Sequence, residues 1–247
     1  MGRWSRPVAE QFLSWLAAPA NGCWLDVGCG TGVLSGAIFE HAAPAIVTGL
    51  DFSPQFVTYS QTQFTGKPAS FLVSDAGALP LKRASVDTAV SGIALNFFPQ
   101  PQNAVAEMAR VTRPGGQVAV YVWDYAEGMQ MLRIFWDAAV ALDPPAAELD
   151  EGVRFPLCRP EPLAALFERA GLSGVQTEAI EVQTRFADFD DYWRPLLGGV
   201  GPVPGYIVGL PEAARAALKE RLREMLPAAE DGSIVLTARA WAVRGVV

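Results

Sequence analysis

One glycine-rich stretch near the amino terminus has the residue types and spacing of a nucleotide-type binding turn. Residues 24–35 read Trp-Leu-Asp-Val-Gly-Cys-Gly-Thr-Gly-Val-Leu-Ser. The pattern predicts a short apolar strand over 23–27 that breaks into the turn and enters a helix over 33–41. Glycines accept positive φ and let a ligand lie against the backbone. The helix that follows adds free N–H groups and the positive end of its dipole.

The spacing of its glycines distinguishes this turn from two other kinds of nucleotide-binding site. Counted from Gly28, the dinucleotide fingerprint G-x-G-x-x-G has Val33 where its third glycine belongs. A phosphate-binding P-loop requires Gly-Lys-Ser/Thr, and the stretch contains no lysine. The pattern present is Asp-x-Gly-x-Gly-x-Gly, which begins at Asp26. A carboxylate at that position would repel a pyrophosphate, but it suits a ligand that carries an ammonium group.

This pattern resembles the glycine motif of class I S-adenosylmethionine (SAM)-dependent methyltransferases, and more narrowly the type 11 or ubiquinone/menaquinone-biosynthesis-like group. The resemblance implies that the turn encloses the methionine half of SAM, with Asp26 reaching the amino group directly or through water. The turn residues that it assigns to the cofactor are Asp26, Gly28, Cys29, Gly30 and Gly32. A turn whose glycines serve packing alone is the weaker interpretation, because three further motifs follow in the family's order.

Two of these motifs are acids that follow predicted strands. Asp51 ends a strand over 45–50, where an acid can accept two ribose hydroxyls, although that spacing alone would also fit NAD. Asp75 follows a strand over 70–74 and opens Asp-Ala-x-x-Leu-Pro, a pattern similar to that of the family. The resemblance implies that Asp75 contacts the adenine amine, whereas taken alone it could be a helix N-cap.

The resemblance also assigns residues outside the turn and these two acids. Further cofactor contacts are expected from Arg6, Phe52, Ser53, Ala76 and Ser91. Arg6 lies on a helix predicted over 4–18, which either covers the cofactor together with Trp4 or merely caps the sheet edge. Arg6 would then pair with the SAM carboxylate, the alternative being a surface arginine.

The corner after a fourth strand, predicted over 84–92, argues against a nucleobase acceptor. Amino-methylating nucleic-acid enzymes carry Asp/Asn/Ser-Pro-Pro-aromatic there, whereas Asn96 is followed by two phenylalanines. The net charge of −7 also opposes a nucleic-acid partner. A helix over 102–112 then ends in the stretch Arg-Val-Thr-Arg-Pro-Gly-Gly, residues 110–116, before a strand over 117–123. That stop resembles a structural signature of the family.

Methyl transfer from a sulfonium needs alignment and exclusion of water more than a strong base. His41, the only histidine, is predicted at the end of the helix after the turn, where it caps rather than acts as a base. The catalytic candidates are therefore Asp124, directly after the fifth strand, and Asn96.

Polar and aromatic residues are the candidates for the acceptor pocket. They are Trp4, Asn96, Trp123, Tyr125, Arg159, Tyr192 and Tyr206. Their aromatic excess favours a small aromatic or apolar acceptor, held partly by stacking. O-methylation is favoured, since a phenolic or enolic oxygen needs little base, while C- or N-methylation stays open.

The 247 residues, of which 51% are hydrophobic and 18% charged, fit one α/β domain. We expect a doubly wound, seven-stranded, mostly parallel sheet of the Rossmann-like methyltransferase type, with an antiparallel last strand. The predicted segments are an N-terminal cap helix (1–21), a SAM-binding core (22–124), helices and strand six (125–187), an insertion (188–226) and the last strand (233–245). Helices are predicted over 128–142 and 160–170.

The insertion separates strands predicted over 174–186 and 234–244, and it is too long for a structureless loop. We interpret it as a substrate lid with its own helix over 211–225, the alternative being a dimerisation arm.

Other features limit the cellular context and the class of function. Cys23, Cys29 and Cys158 lack paired spacing, so neither a disulfide framework nor a metal site is expected. Without a signal or membrane-spanning pattern, the sequence predicts a cytoplasmic monomer or homodimer that acts on a small molecule. Two alternatives stay open: a SAM-binding regulator or assembly protein without catalysis, and a NAD(P)-dependent oxidoreductase on a similar sheet.

Overall fold

A computed structural model describes residues 2–198 and 201–247 of the chain. The described chain forms two compact units, which we treat separately. The first unit comprises residues 2–122, 159–180 and 240–247, and the second comprises residues 123–158 and 181–239.

Seven strands form one sheet with the order β3-β2-β1-β4-β5-β7-β6. The strands are β1 (Cys23–Val27), β2 (Ile46–Asp51), β3 (Ala69–Val73), β4 (Val86–Gly92), β5 (Thr112–Trp123), β6 (Ser173–Phe186) and β7 (Ile234–Val246). Strands β1 to β5 pair in parallel. The sheet is mostly parallel with one antiparallel strand toward its end, which confirms the predicted fold class.

Ten α-helices accompany these strands in the described residues. They are α1 (Gly2–Leu16), α2 (Val33–His41), α3 (Pro54–Gln63), α4 (Pro101–Val111), α5 (Gln130–Leu142), α6 (Glu151–Arg154), α7 (Pro160–Arg169), α8 (Phe189–Leu197), α9 (Pro202–Gly209) and α10 (Glu212–Met225). Two 3-10 helices, Leu95–Phe97 and Pro144–Leu149, were not predicted. Among the described residues, no helix has the length and apolar character needed to cross a membrane.

The strand order explains where a site can form in the first unit. The chain moves from β1 outward through β2 to β3, then returns to place β4 on the other side of β1. Right-handed crossovers therefore put α2 and α3 on one face of the sheet and α4 on the other. A crevice opens where the order reverses, at the carboxyl ends of β1 and β4, and ligands of such sheets bind there.

Local chemistry sets the helix starts near this crevice. Pro54 stands at the first turn of α3, and the Ser53 hydroxyl accepts a hydrogen bond from the Phe56 N–H at 3.4 Å, which confirms the predicted N-cap. His41 ends α2 and is exposed, as predicted for a residue that meets the negative end of the dipole.

The proline–glycine stop after α4 differs from the prediction. The helix ends at Val111 and β5 starts at once, at Thr112 rather than at residue 117. Gly115 has φ +79°, and its N–H donates to the Val247 carbonyl oxygen at 2.9 Å. A Cβ on Gly116 would lie 2.6 Å from the Asp87 carbonyl oxygen. The signature thus begins the strand by close backbone packing instead of preceding it.

The second unit contains more helix than the sequence indicated. The predicted helix over 211–225 is confirmed as α10, but α8 and α9 also lie within the insertion. Residues Gly199 and Val200 of that segment lie outside the described residues. The Asp188 carboxylate caps α8 by accepting the Asp191 N–H at 2.8 Å.

Candidate functional site

The three glycines of the turn after β1 serve different purposes. All have positive φ: +73° at Gly28, +53° at Gly30 and +81° at Gly32. A Cβ on Gly28 would lie 2.6 Å from the Ala94 Cβ, and one on Gly32 would lie 2.6 Å from the Phe64 ring. A Cβ on Gly30 would meet no atom of the described residues within 4 Å. Gly28 and Gly32 therefore allow close packing, whereas Gly30 leaves its backbone open to a ligand.

Asp51, at the end of β2, is bound to this open glycine. Its Oδ2 accepts the Gly30 N–H at 2.9 Å, and its Oδ1 accepts the Ser53 N–H at 2.8 Å. The two bonds fix the carboxylate in one orientation. Each oxygen has a further lone pair, so the half-buried carboxylate can still accept hydroxyl groups from a ligand.

Asp26 is fully buried at the end of β1. Its Oδ2 accepts the Ser35 hydroxyl at 2.7 Å, whereas its Oδ1 has no hydrogen-bond partner among the described residues. Burial, with a contribution from the nearby Asp51, raises the pKa of Asp26 from 3.8 to about 7. A buried carboxylate with one unpaired oxygen fits a ligand that brings a cationic donor.

Asp75 follows β3 on an exposed loop, beside the half-buried Ala76. Its Oδ1 accepts the Gly77 N–H at 2.8 Å and so turns the loop. A clamp from α4 holds the continuation of this loop. Arg110 donates to the Leu79 carbonyl oxygen at 3.0 Å, and Glu107 accepts the Leu79 N–H at 2.8 Å.

The clamp is itself an ion pair of 2.6 Å between Arg110 Nε and Glu107 Oε1. The bound guanidinium lowers the pKa of Glu107. Arg110 belongs to the signature before β5, whose predicted role is structural. That signature therefore also holds the loop that carries Asp75.

The turn after β4 forms the other side of the crevice. Ala94 and Phe98 lie against Gly28, so the two turns are in contact. Ile93 has φ +58°, a strained conformation for a β-branched residue, and its N–H donates to the Tyr121 carbonyl oxygen at 2.7 Å. The amide oxygen and nitrogen of Asn96 are both shielded from solvent, and neither has a hydrogen-bond partner among the described residues.

Other residues of the first unit that were predicted to contact the cofactor or the acceptor differ in their exposure. Phe52 is 82% exposed, and Arg6 is exposed while Trp4 is buried. Cys29 is buried, and burial raises the pKa of its thiol, as expected of a small filling residue. Arg159 is exposed at the N-cap position of α7.

Ser91 is buried on β4, and its hydroxyl has no hydrogen-bond partner in the part of the chain that the structure describes. Asp26 pairs with Val90, and side chains alternate along a strand, so the Ser91 side chain points to the opposite face from Asp26. The predicted contact of Ser91 with the cofactor would therefore involve its backbone.

Comparison with known proteins agrees with this geometry. Residues 25–120 match a family described as a methyltransferase domain. Residues 25–120 are therefore similar to a methyltransferase domain, in line with the resemblance to class I SAM-dependent methyltransferases. The matched residues include the glycine turn, Asp51, Asp75 and Asn96, so the domain covers both sides of the crevice.

Two curated relatives of this methyltransferase domain are malonyl-[acyl-carrier protein] O-methyltransferases. The protein of Methylococcus capsulatus is 32% identical over 136 residues, which cover 54% of this chain and 49% of that protein. The protein of Hahella chejuensis is 33% identical over 94 residues, which cover 38% of this chain and 34% of that protein. The chain thus spans half or less of the length of these relatives.

Solved structures resemble the whole chain in fold. The YcgJ protein of Bacillus subtilis is 16% identical with a TM-score of 0.60, and the match covers 97% of each chain. A phosphoethanolamine N-methyltransferase 2 of Haemonchus contortus, solved with S-adenosylhomocysteine, is 15% identical with a TM-score of 0.58. That match covers 96% of this chain and 52% of the other.

Asp124, the candidate base, lies in the second unit, and its carboxylate is bound to other residues there. It is only 2% exposed, and its Oδ2 lies 2.6 Å from Arg239 Nη2. Its Oδ1 accepts the Glu127 N–H at 3.1 Å. Gly128 packs so closely that a Cβ there would lie 2.4 Å from the Arg239 Cβ. This geometry gives Asp124 a structural role in the loop after β5, which sequence reasoning did not anticipate.

The aromatic acceptor candidates of the second unit are packed side chains. Trp123, Tyr125 and Tyr192 are fully buried, and the Tyr192 hydroxyl donates to the Met131 carbonyl oxygen at 2.9 Å. Tyr206 is half-buried, and its hydroxyl donates to Asp143 Oδ2 at 3.2 Å. Of these four residues, Tyr206 retains the most exposed side chain.

Sequence reasoning missed two residues that bear on this chemistry. Ser35, on the first turn of α2, holds the buried Asp26, and its position nine residues after that acid on a predicted helix was the available signal. Glu151 is a buried acid that accepts the Trp136 indole N–H, and burial raises its pKa. No sequence pattern marked Glu151, because its burial depends on residues distant in the chain.

Proposed function

We propose that this chain transfers the methyl group of SAM to a small acceptor molecule. The observation that carries the proposal is the bond between Gly30 and Asp51, which joins an open glycine backbone to an oriented carboxylate at the reversal of strand order. Ribose hydroxyls are the ligand groups that such a carboxylate suits.

The residues of the first unit fit a ligand of this kind. Asp51 would accept hydroxyls, and the unpaired Oδ1 of Asp26 would accept from an ammonium group. The backbone of Gly30 offers an open surface. The loop that carries Asp75 is turned by the hydrogen bond from the Gly77 N–H, and Asp75 would contact the adenine of the ligand. When bound, SAM supplies a methyl group already activated by the positive sulfonium. The chain then has to orient the acceptor and exclude water.

We further propose a neutral acceptor of aromatic or apolar character, with transfer to oxygen. The net charge of −7 disfavours an anionic acceptor, which the chain would repel at long range. The names of relatives include an O-methyltransferase and an N-methyltransferase, so the atom that is methylated rests on this proposal alone.

Calorimetric titration tests the cofactor separately from the acceptor. S-adenosylhomocysteine (SAH), NAD and NADP are titrated into the purified chain, and we expect binding of SAH alone. Transfer of radiolabel from methyl-labelled SAM is then measured on a panel of phenols, enols, amines and carboxylic acids. Binding of a nicotinamide nucleotide instead of SAH would support the oxidoreductase and refute the proposal.

A SAM-binding protein without catalysis is the second candidate. The observation that favours it is the commitment of Asp124 to Arg239, together with the exposed position of His41 at a helix end. Saturable SAH binding without label transfer to any member of the panel would favour this function. The cytoplasmic location, the monomer or homodimer state, and the role of residues 188–226 as lid or dimer arm stay predictions.

A further inference from the structure

Asn96 occupies the turn after β4 with an amide that has no partner. Its oxygen and its nitrogen are both shielded from solvent and unpaired among the described residues. An amide buried without hydrogen bonds is unfavourable, because its lost bonds to water are not replaced. A group that supplies both a donor and an acceptor would recover much of this free energy on entering the crevice.

The backbone of this turn is fixed from two sides. The strained Ile93 is held by its N–H bond to the Tyr121 carbonyl oxygen, and Ala94 and Phe98 pack on Gly28. Backbone strain of this kind persists where the surrounding structure imposes it. The position of Asn96 is therefore tied to the glycine turn that we assign to the cofactor.

We infer that Asn96 selects the acceptor by pairing with a neutral polar group that presents a donor and an acceptor side by side. Groups of this class are carboxamides, lactams, and phenols or enols beside a carbonyl. The inference rests on the proposed function and narrows its acceptor. Since the Asn96 atoms are shielded from solvent, the acceptor has to displace whatever atoms cover them as it binds.

The pairing discriminates between ligands, because an unsuitable ligand leaves one polar atom of Asn96 without a hydrogen bond. A carboxylate offers acceptors alone and leaves the amide oxygen of Asn96 unpaired, and it is also opposed by the net charge of −7. A ketone of the same shape leaves that oxygen unpaired as well. A site built to pair with a polar group rejects the analogue that lacks it, because its own buried group is left without a partner.

Four ring-matched probes test the inference on the SAH-saturated protein. Benzamide presents a hydrogen-bond donor and an acceptor, and acetophenone has a methyl group in place of the amide NH2 group. Benzoate is an anion that only accepts hydrogen bonds, and benzamidinium is a cation that only donates them. Calorimetry should give benzamide an affinity at least about tenfold above acetophenone and benzoate, the scale of one hydrogen bond.

Variants of Asn96 test the same preference. Asn96→Leu should abolish the preference for benzamide, and Asn96→Asp should shift it to benzamidinium. Asn103→Leu removes an exposed asparagine of α4 and should change nothing.

The outcomes separate this inference from the proposed function. Failure of the wild-type protein to bind SAH refutes the proposed function. Normal SAH binding with no preference for benzamide over acetophenone refutes the inference, and this comparison needs no variant. A large loss of SAH affinity in Asn96→Leu also refutes it, because the amide would then pair with the cofactor.

Discussion

The buried carboxylate of Asp124 and the half-buried guanidinium of Arg239 form an ion pair of 2.6 Å within the second unit. Residues 115 positions apart in the chain thereby fix the loop after β5. Arg239 also lies 3.4 Å from Glu127 and 3.6 Å from Glu181, so these carboxylates would compensate part of its charge if Asp124 were removed. The cost of breaking the pair therefore reaches at most the roughly 3–5 kcal/mol of a fully buried pair. The pair therefore makes Asp124 a stability determinant before it is a candidate base.

Replacement of one partner tests this role. We expect Asp124→Asn to lower the free energy of unfolding by several kcal/mol, on the order of the cost above, while SAH affinity stays within about twofold. Urea unfolding and calorimetry measure the two quantities. The double variant Asp124→Asn with Arg239→Gln should recover part of the loss. A stable Asp124→Asn variant with full SAH binding and a collapsed rate of methyl transfer would instead return Asp124 to the role of a base.

The two glycines Gly28 and Gly30 give a matched pair of substitutions. Gly28→Ala should unfold or strongly destabilise the chain, because the new Cβ would lie 2.6 Å from Ala94. Gly30→Ala meets no atom within 4 Å and should cost only about 1–2 kcal/mol for its positive φ. Its SAH affinity should nevertheless fall at least about tenfold, since the methyl group fills the open backbone surface. Thermal unfolding and calorimetry of both variants check the contrast; unchanged SAH affinity in a folded Gly30→Ala variant would contradict it.

The sequence predicted the β-α succession of the first unit because its signals are local. Apolar runs, glycines and the Ser53-Pro54 start determine strands and helices within a few residues. The division of labour among Gly28, Gly30 and Gly32 was not predictable, because it depends on Ala94 and Phe64 in other elements.

The same limit applies to the side chains of the candidate site. The ion pair of Asp124 and the unpaired amide of Asn96 arise from tertiary packing. In the insertion, α8 contains Pro195, a residue whose local preference is to interrupt a helix. The helix nevertheless continues to Leu197, because the burial of Tyr192 and Trp193 outweighs that preference.

Asp51 should contribute strongly to cofactor affinity. Asp51→Ala removes the acceptors of two ligand hydroxyls and should weaken SAH binding by roughly 1–3 kcal/mol, or about 5- to 150-fold. Part of the loss will come from the freed Gly30 and Ser53 N–H groups, which Asp51→Asn would partly satisfy. The exposed Asp137→Asn is the control and should bind SAH normally. Unaltered affinity in a folded Asp51→Ala variant would remove Asp51 from the cofactor site.

Asp26 should make stability depend on pH. Its pKa rises from 3.8 when exposed to about 7 in the folded chain, so the folded state holds this proton more tightly than the unfolded state does. The contribution of Asp26 to stability is therefore fully present below about pH 4 and is lost as pH rises toward 7, by about 4 kcal/mol in total. Urea unfolding between pH 4 and 8 should show this decline, and Asp26→Asn should flatten it.

Ligand binding should lower the raised pKa of Asp26 again. The ammonium group of SAH would favour the charged carboxylate and lower its pKa, so SAH binding near pH 6 should release a proton. Calorimetry in buffers of different ionisation enthalpy measures that release directly. At pH 8 the carboxylate is already charged and the release should disappear, as it should at pH 6 in Asp26→Asn. Proton uptake at pH 6 would mean that Asp26 meets no cation, and the ammonium subsite would have to lie elsewhere.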